Sequence, residues 1–213
     1  GCDINFNSEY IVLASGLKRI ISTYNYKNGK LLHFKKAGLY LTDSIKHTNR
    51  IPPANPYNQI PRYPIRYLTL EEEKENMRMI KNVFIKVQYN IDNTISSSAL
   101  VYLPVLLKDN NKSVYNTATV VEFDSSLNIK RVIFPNNTLN HYTIAFSFIA
   151  DKIKNQYYFL NEALGAYHYF KTTDTIAVLA VYDENGEYVK TALYLDKKFA
   201  NNEFIFYFIC MIQ

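Results

Sequence analysis

The chain contains no tryptophan, only six glycines and only two cysteines in 213 residues. Glycines placed singly do not build the glycine-rich loops that wrap phosphates, so nucleotide cradling is not expected. Cys2 and Cys210 are too few for a disulfide framework, although a bridge between them would tie the termini together in an oxidising compartment. The four histidines, His33, His47, His141 and His168, form no His-x-x-x-His pair, and neither Cys-x-x-Cys nor Gly-x-Ser-x-Gly occurs. With the common metal, redox and esterase motifs missing, the sequence points to no catalytic residue, no metal and no cofactor. The longest apolar run is the nine residues Phe204–Ile212, whereas a membrane-spanning helix needs roughly 20.

What is present describes a folded chain, 48% hydrophobic and 20% charged. That is ample for a core, and we read residues 10–213 as a single β-rich domain preceded by a polar tether at 1–9. The net charge is +5, but lysines and arginines alternate with acids along most of the chain, as on a solvated surface. Strands with aromatic and basic residues together on one face are missing, so no nucleic-acid partner is expected. The 19 tyrosines and 13 phenylalanines accompany abundant Asn, Lys and Ile, a usage bias of AT-rich coding sequence rather than a binding signal.

Period-two alternation dominates the pattern. In Val83–Asp92, residues Val83, Ile85, Val87, Tyr89 and Ile91 fall on one face and Lys86, Gln88, Asn90 and Asp92 on the other, as a half-buried antiparallel strand requires. Further strands are expected over Ala99–Leu107, Thr117–Phe123, Ile129–Phe134, Tyr142–Ile149, Thr175–Tyr182, Tyr188–Leu195 and Phe204–Ile212. Asn28-Gly29 and Asn185-Gly186 are expected to close tight type I′ hairpins, and Asp124–Asn128 a looser one. Asp183 and Glu184, adjacent acids, belong to the second of these turns rather than to a catalytic pair.

Helical signal is confined to Thr69–Lys81, where Thr69 is placed to cap and Glu72 to reach back to it, and to a short turn at Asn161–Leu164 stopped by Gly165. Residues 51–67 hold five of the seven prolines and read as a long loop packed by its tyrosines. Its Tyr57, Arg62, Tyr63, Arg66 and Tyr67 are the candidate recognition residues, because aromatic and arginine side chains commonly anchor interfaces; the same rings could equally lie against the sheet.

Strand, polar turn and strand recur at Tyr24–Leu31, Val121–Val132 and Val181–Val189, but at irregular spacing. The fold class that follows is mainly β: an antiparallel β-sandwich or small barrel-like sheet with one or two short helices, an irregular β-propeller-like arrangement being the alternative.

Gly1-Cys2 at the head of a polar stretch has the form of a lipoprotein processing junction, in which a small residue precedes the cysteine that takes the acyl chains. With its Asn-, Lys-, Ile- and Tyr-rich β domain, the chain resembles bacterial outer-surface lipoproteins of the kind found in spirochaetes and Bacteroidetes. The resemblance implies lipidation at Cys2, a place in the bacterial cell envelope at the outer membrane or cell surface, and contact with the membrane through the anchor alone. It also implies a non-enzymatic binding or interaction module for a host factor, glycan or envelope partner. An envelope glycan hydrolase and a self-associating structural subunit are the alternatives.

Overall fold

In the computed structural model, residues 2–38, 41–42, 45, 64–73, 82–135, 142–163 and 175–196 are described. The architecture is mainly β and antiparallel, as expected, and the described residues form three sheets. Sheet A is the meander β1 (Cys2–Phe6), β2 (Tyr10–Ser15), β3 (Ile20–Asn25), β4 (Leu31–Lys36). Sheet B runs β5 (Pro64–Tyr67), β7 (Ile95–Leu107), β8 (Lys112–Phe123), β9 (Ile129–Ile133), with β6 (Val83–Tyr89) also paired to β7. Sheet C is the meander β10 (Tyr142–Asp151), β11 (Gln156–Ala163), β12 (Thr175–Asp183), β13 (Tyr188–Asp196). The three recurrent turns seen in the sequence are the last hairpins of these sheets, β3–β4, β8–β9 and β12–β13.

Sheet B is covered on both faces, and strand alternation says how. On β8, Val121 and Phe123 enter a core shared with Val12, Ala14 and Ile21 of sheet A and with Phe84, Ile95 and Leu103. Val120 points the other way, into a core with Phe148, Ala150, Tyr157, Phe159, Ala180 and Tyr182 of sheet C. Phe84 and Phe123 meet edge to face at 5.7 Å in the first core, and Phe159 and Tyr182 at 5.5 Å in the second.

Four differences from the sequence expectation have physical causes. Residues Cys2–Phe6, expected as part of a tether, form β1 in register with β2, Cys2 opposite Ser15. Asp3 accepts the Val87 N–H at 2.8 Å and Asn5 that of Tyr89 at 3.2 Å, so polar side chains of β1 satisfy the outer edge of β6. β7 starts at Ile95 rather than Ala99, and Ser96, Ser97 and Ser98 are fully buried. Ser97 donates to the Lys86 carbonyl at 2.8 Å and Ser98 accepts from the Lys86 N–H at 3.2 Å, so a polar run sits inside without unpaired groups. Asn161–Ala163, expected as a helical turn, continues β11, with Asn161 opposite Val178; ladder pairing on both sides overrides a weak local preference.

The hairpin turns are the fourth difference. In the β12–β13 loop Gly186 N–H bonds Asp183 O at 3.0 Å and Asp183 N–H bonds Glu187 O at 2.9 Å, with positive φ only at Gly186. This is a three-residue loop, a type I turn followed by one left-handed residue, instead of type I′. The same hydrogen bonding recurs at Asn90–Thr94, Leu107–Asn111 and Asp124–Asn128, with Asn93, Asn110 and Leu127 left-handed. Asp183 and Asp124 close their loops by accepting two backbone N–H groups each.

At Leu70–Glu73 the capping box forms as expected: Thr69 N–H donates to Glu72 at 2.8 Å and Glu72 N–H to the Thr69 hydroxyl at 3.4 Å. The rest of the expected helix to Lys81, the strand Phe204–Ile212, Cys210, His47, His141 and His168 lie outside the described residues. Replacing Phe84 by Ala removes the ring that joins β6 to the Phe123 side of the first core. We expect a loss of about 3–5 kcal/mol, measured by urea unfolding.

Candidate functional site

A concave feature formed by described residues opens between the end of β6 and the β10–β11 turn. It is a cleft of about 480 Å³ whose walls are Gln88–Ile91 on one side and Ile149–Ile153 on the other, with Tyr158 and Leu179 completing it. That volume falls within the range of small-ligand sites, which are mostly apolar with a few fixed polar groups. Ile91 and Ile153 stand at the tips of their turns, 76% and 80% exposed.

The walls are held by side chains that imitate backbone. Gln88 of β6 donates through Nε2 to the Ala150 carbonyl at 2.8 Å and accepts the Ala150 N–H through Oε1 at 2.9 Å, a ladder-like pair between two sheets. Asn90, 4% exposed, donates through Nδ2 to Thr94 at 2.9 Å and Ser96 at 2.8 Å, while its Oδ1 has no partner. The Thr94 hydroxyl donates to Asp92 at 2.5 Å, so turning the amide over would leave only the Ser96 hydroxyl to donate to its oxygen and would orphan the nitrogen instead; one amide atom of Asn90 lacks a partner in either orientation.

Beneath the cleft lies a buried carboxylate. Glu122, 3% exposed, projects from β8 toward sheet C. Its Oε1 accepts from Lys152 Nζ and from the Tyr157 hydroxyl, each at 2.5 Å, and its Oε2 from Arg131 Nε at 2.5 Å. Arg131 also donates to the Tyr157 hydroxyl at 2.9 Å and reaches Glu184 at 3.4 Å, and Lys152 reaches Asp92 at 3.6 Å. Burial pushes the Glu122 carboxyl up, but the hydrogen bonds from Lys152, Tyr157 and Arg131 outweigh it and hold the group below its ordinary value. For Asp92, burial is likewise outweighed, here by the side chain and backbone of Thr94 and by Lys152, and its pKa is also lowered. Burial raises the Tyr157 phenol, with Glu122 adding to the effect, so it stays protonated and donates.

Chemically the cluster clamps turns and strands together. Both acids are held ionised, so neither offers a proton at neutral pH, and the Glu122 oxygens are taken up by internal donors. Asp151, the acid among the residues lining the cleft, accepts from the N–H groups of Ile153 and Lys154 in its own turn. Among the described residues no group of three or more His, Cys, Asp or Glu could hold a metal ion.

Of the residues singled out from sequence, Cys2, Arg66 and Tyr67 are not among those lining the cleft. Cys2 is exposed and unbridged, its Sγ 3.7 Å from the Ser15 hydroxyl. Arg66 spends its guanidinium on Glu72, at 2.8 and 2.9 Å, which lowers the Glu72 pKa to about 2. Tyr67 packs against Val105 and Leu107, and burial raises its phenol. Tyr57, Arg62 and Tyr63 lie outside the described residues. The cleft was missed because its walls come from residues about 60 apart. The one sequence signal for it was an isoleucine at the tip of each of two turns.

The fold and cleft define a mainly antiparallel β protein with a small-ligand-sized depression between two sheets. No protein-family model matches the chain, and no curated protein does. Among solved structures it is similar to a protein of unknown function from Bacteroides caccae, with 12% identity over 93% of this chain and 68% of that one and a TM-score of 0.32.

Breaking the clamp tests its structural role. For Glu122→Gln we expect a loss of about 3 kcal/mol, because two cations keep their burial and lose their counter-charge. Since the folded pKa is depressed, this contribution is complete above the unfolded value of about 4.3 and is lost as pH falls through the lower folded value. Urea unfolding of both proteins across the acid range should therefore show their stabilities converging at low pH.

Proposed function

We propose that the protein is a lipid-anchored envelope protein, attached through Cys2, that works as a non-enzymatic binding module with its ligand site in the cleft between β6 and the β10–β11 turn. The observation that carries the binding reading is the cleft itself, whose turns hold two exposed isoleucines and whose wall carries a buried Asn90 amide with an unmatched atom. Exposed apolar side chains facing a depression, and an unmatched buried polar atom beside it, both cost free energy in the free protein, and a bound ligand would recover it. The cleft's apolar walls with Gln88, Asn90, Asp151 and Lys152 among them suit a partly apolar ligand such as a glycan or a peptide side chain. The Gly1-Cys2 junction supports the anchor and the envelope location.

Two experiments test the two halves separately. For the anchor, mass spectrometry of the N-terminal peptide from the native host should find acyl chains on Cys2, lost in Cys2→Ser; an unmodified cysteine would end that half. For the cleft, the Cys2→Ser protein is screened against envelope glycans and peptides by thermal shift. A ligand that stabilises this chain, and no longer stabilises it once Ile153→Ser and Tyr158→Ala are added with melting temperature otherwise kept, supports the site. A ligand unaffected by those changes places binding elsewhere, and turnover of a glycan would favour the hydrolase reading.

A further inference from the structure

The outer face of sheet A carries several exposed apolar side chains, and the register shows which residues share it. Opposed residues lie on one face, so one row is Phe6, Ile11, Tyr24 and Leu31, the next Ile4, Leu13, Ser22 and Phe34, and the third Cys2, Ser15, Ile20 and Lys36. The contact of Cys2 Sγ with the Ser15 hydroxyl confirms the face of the third row. The opposite face holds Asp3, Asn5, Val12, Ala14 and Ile21, which pack or hydrogen-bond inward.

On the outer face Ile4, Phe6 and Phe34 are 61%, 63% and 60% exposed, and Phe6 stacks on the exposed Tyr26 at 6.0 Å. β4 is an edge strand of its sheet and also exposes Leu31 and Leu32. Large apolar side chains exposed together on one face mark a contact.

The charge around the face identifies the partner. Residues 2–38 carry six basic side chains and two acidic ones, a net +4 of the chain's +5. The whole-chain impression of interleaved charge therefore conceals one basic segment. Lys18 and Arg19 occupy the β2–β3 turn at the Cys2 end of the face, and Lys27 and Lys30 the segment linking β3 to β4 at the Phe6 end. Of the two acids, Asp3 is turned inward to Val87 N–H and Lys86. An apolar patch with basic residues at both ends is the pattern of a surface that lies in the headgroup boundary of an anionic bilayer.

We propose that this face docks on an anionic lipid surface, laying Ile4, Phe6 and Phe34 into the boundary while Lys18, Arg19, Lys27 and Lys30 meet the headgroups. This extends the anchored-protein reading and rests on it for its setting: Cys2 is on the same face, and β1 begins at Cys2, so acyl chains there would bring the patch onto the membrane. The cleft would then be held at a fixed orientation above the bilayer.

The test uses Cys2→Ser protein, which cannot be acylated, so that the face is read without the anchor. Sedimentation with phosphatidylcholine vesicles containing phosphatidylglycerol should pull the protein down, salt should weaken the binding, and vesicles of phosphatidylcholine alone should retain much less. Adding Phe6→Ser and Phe34→Ser, both at exposed positions, should weaken binding by roughly tenfold or more with the melting temperature kept. Failure to bind the anionic vesicles, or binding unchanged by these substitutions, overturns the proposal. So does sedimentation velocity showing a dimer that the same substitutions dissolve, since the face would then join two copies of the chain. An unmodified Cys2 in the native host would sink the anchor but leave vesicle binding by the Cys2→Ser protein to decide the face by itself.

Discussion

Glu122 is the constraint on which the arrangement of sheets B and C depends. Taking a carboxylate out of water is costly, and the position it occupies on β8 would suit an aliphatic residue, as neighbouring Val120 demonstrates. The cost is offset by three donors from three elements: Arg131 of β9, Lys152 of the β10–β11 turn and Tyr157 of β11. A hydrophobic contact tolerates sliding, whereas a carboxylate with three directed partners does not. The clamp thereby fixes where the β10–β11 turn stands, and one wall of the cleft with it.

Side chains elsewhere take over the work of backbone ladders in joining the sheets. Asp3 and Asn5 satisfy the free edge of β6, and Gln88 pairs with both backbone groups of Ala150. Asn82 bonds the Gly38 carbonyl, the Thr42 hydroxyl and the Tyr102 N–H at 2.7, 3.1 and 2.9 Å. Each of these links satisfies buried polar groups that stacking of apolar faces would leave unpaired. They also make β6 a central post, bonded to β1 on one side and to β10 on the other. Sheet A and the cleft are therefore mechanically connected through one strand.

The strands were legible because alternation is a local property. Val83–Tyr89 kept the predicted faces in part, and Thr69 and Glu72 capped each other because a capping box needs only residues three apart. The serine run of β7 was illegible, since small polar residues carry no hydrophobic period and their burial depends on partners across the sheet. Two residues of the proline-rich loop were legible as chemistry but not as contacts. Arg66 and Tyr67 have the chemistry of interface anchors, yet Glu72 and the Val105 side of the core take that chemistry up.

By itself the sequence determined the secondary-structure class and the turn positions, both of which depend on residues close in the chain. Tertiary structure alone decided that Glu122 is buried, that Gln88 faces Ala150, and that Cys2, Ile4, Phe6 and Phe34 share one face. Those facts arise from sheet register and from the stacking of layers between segments tens of residues apart, and no local period encodes which strand a strand will meet.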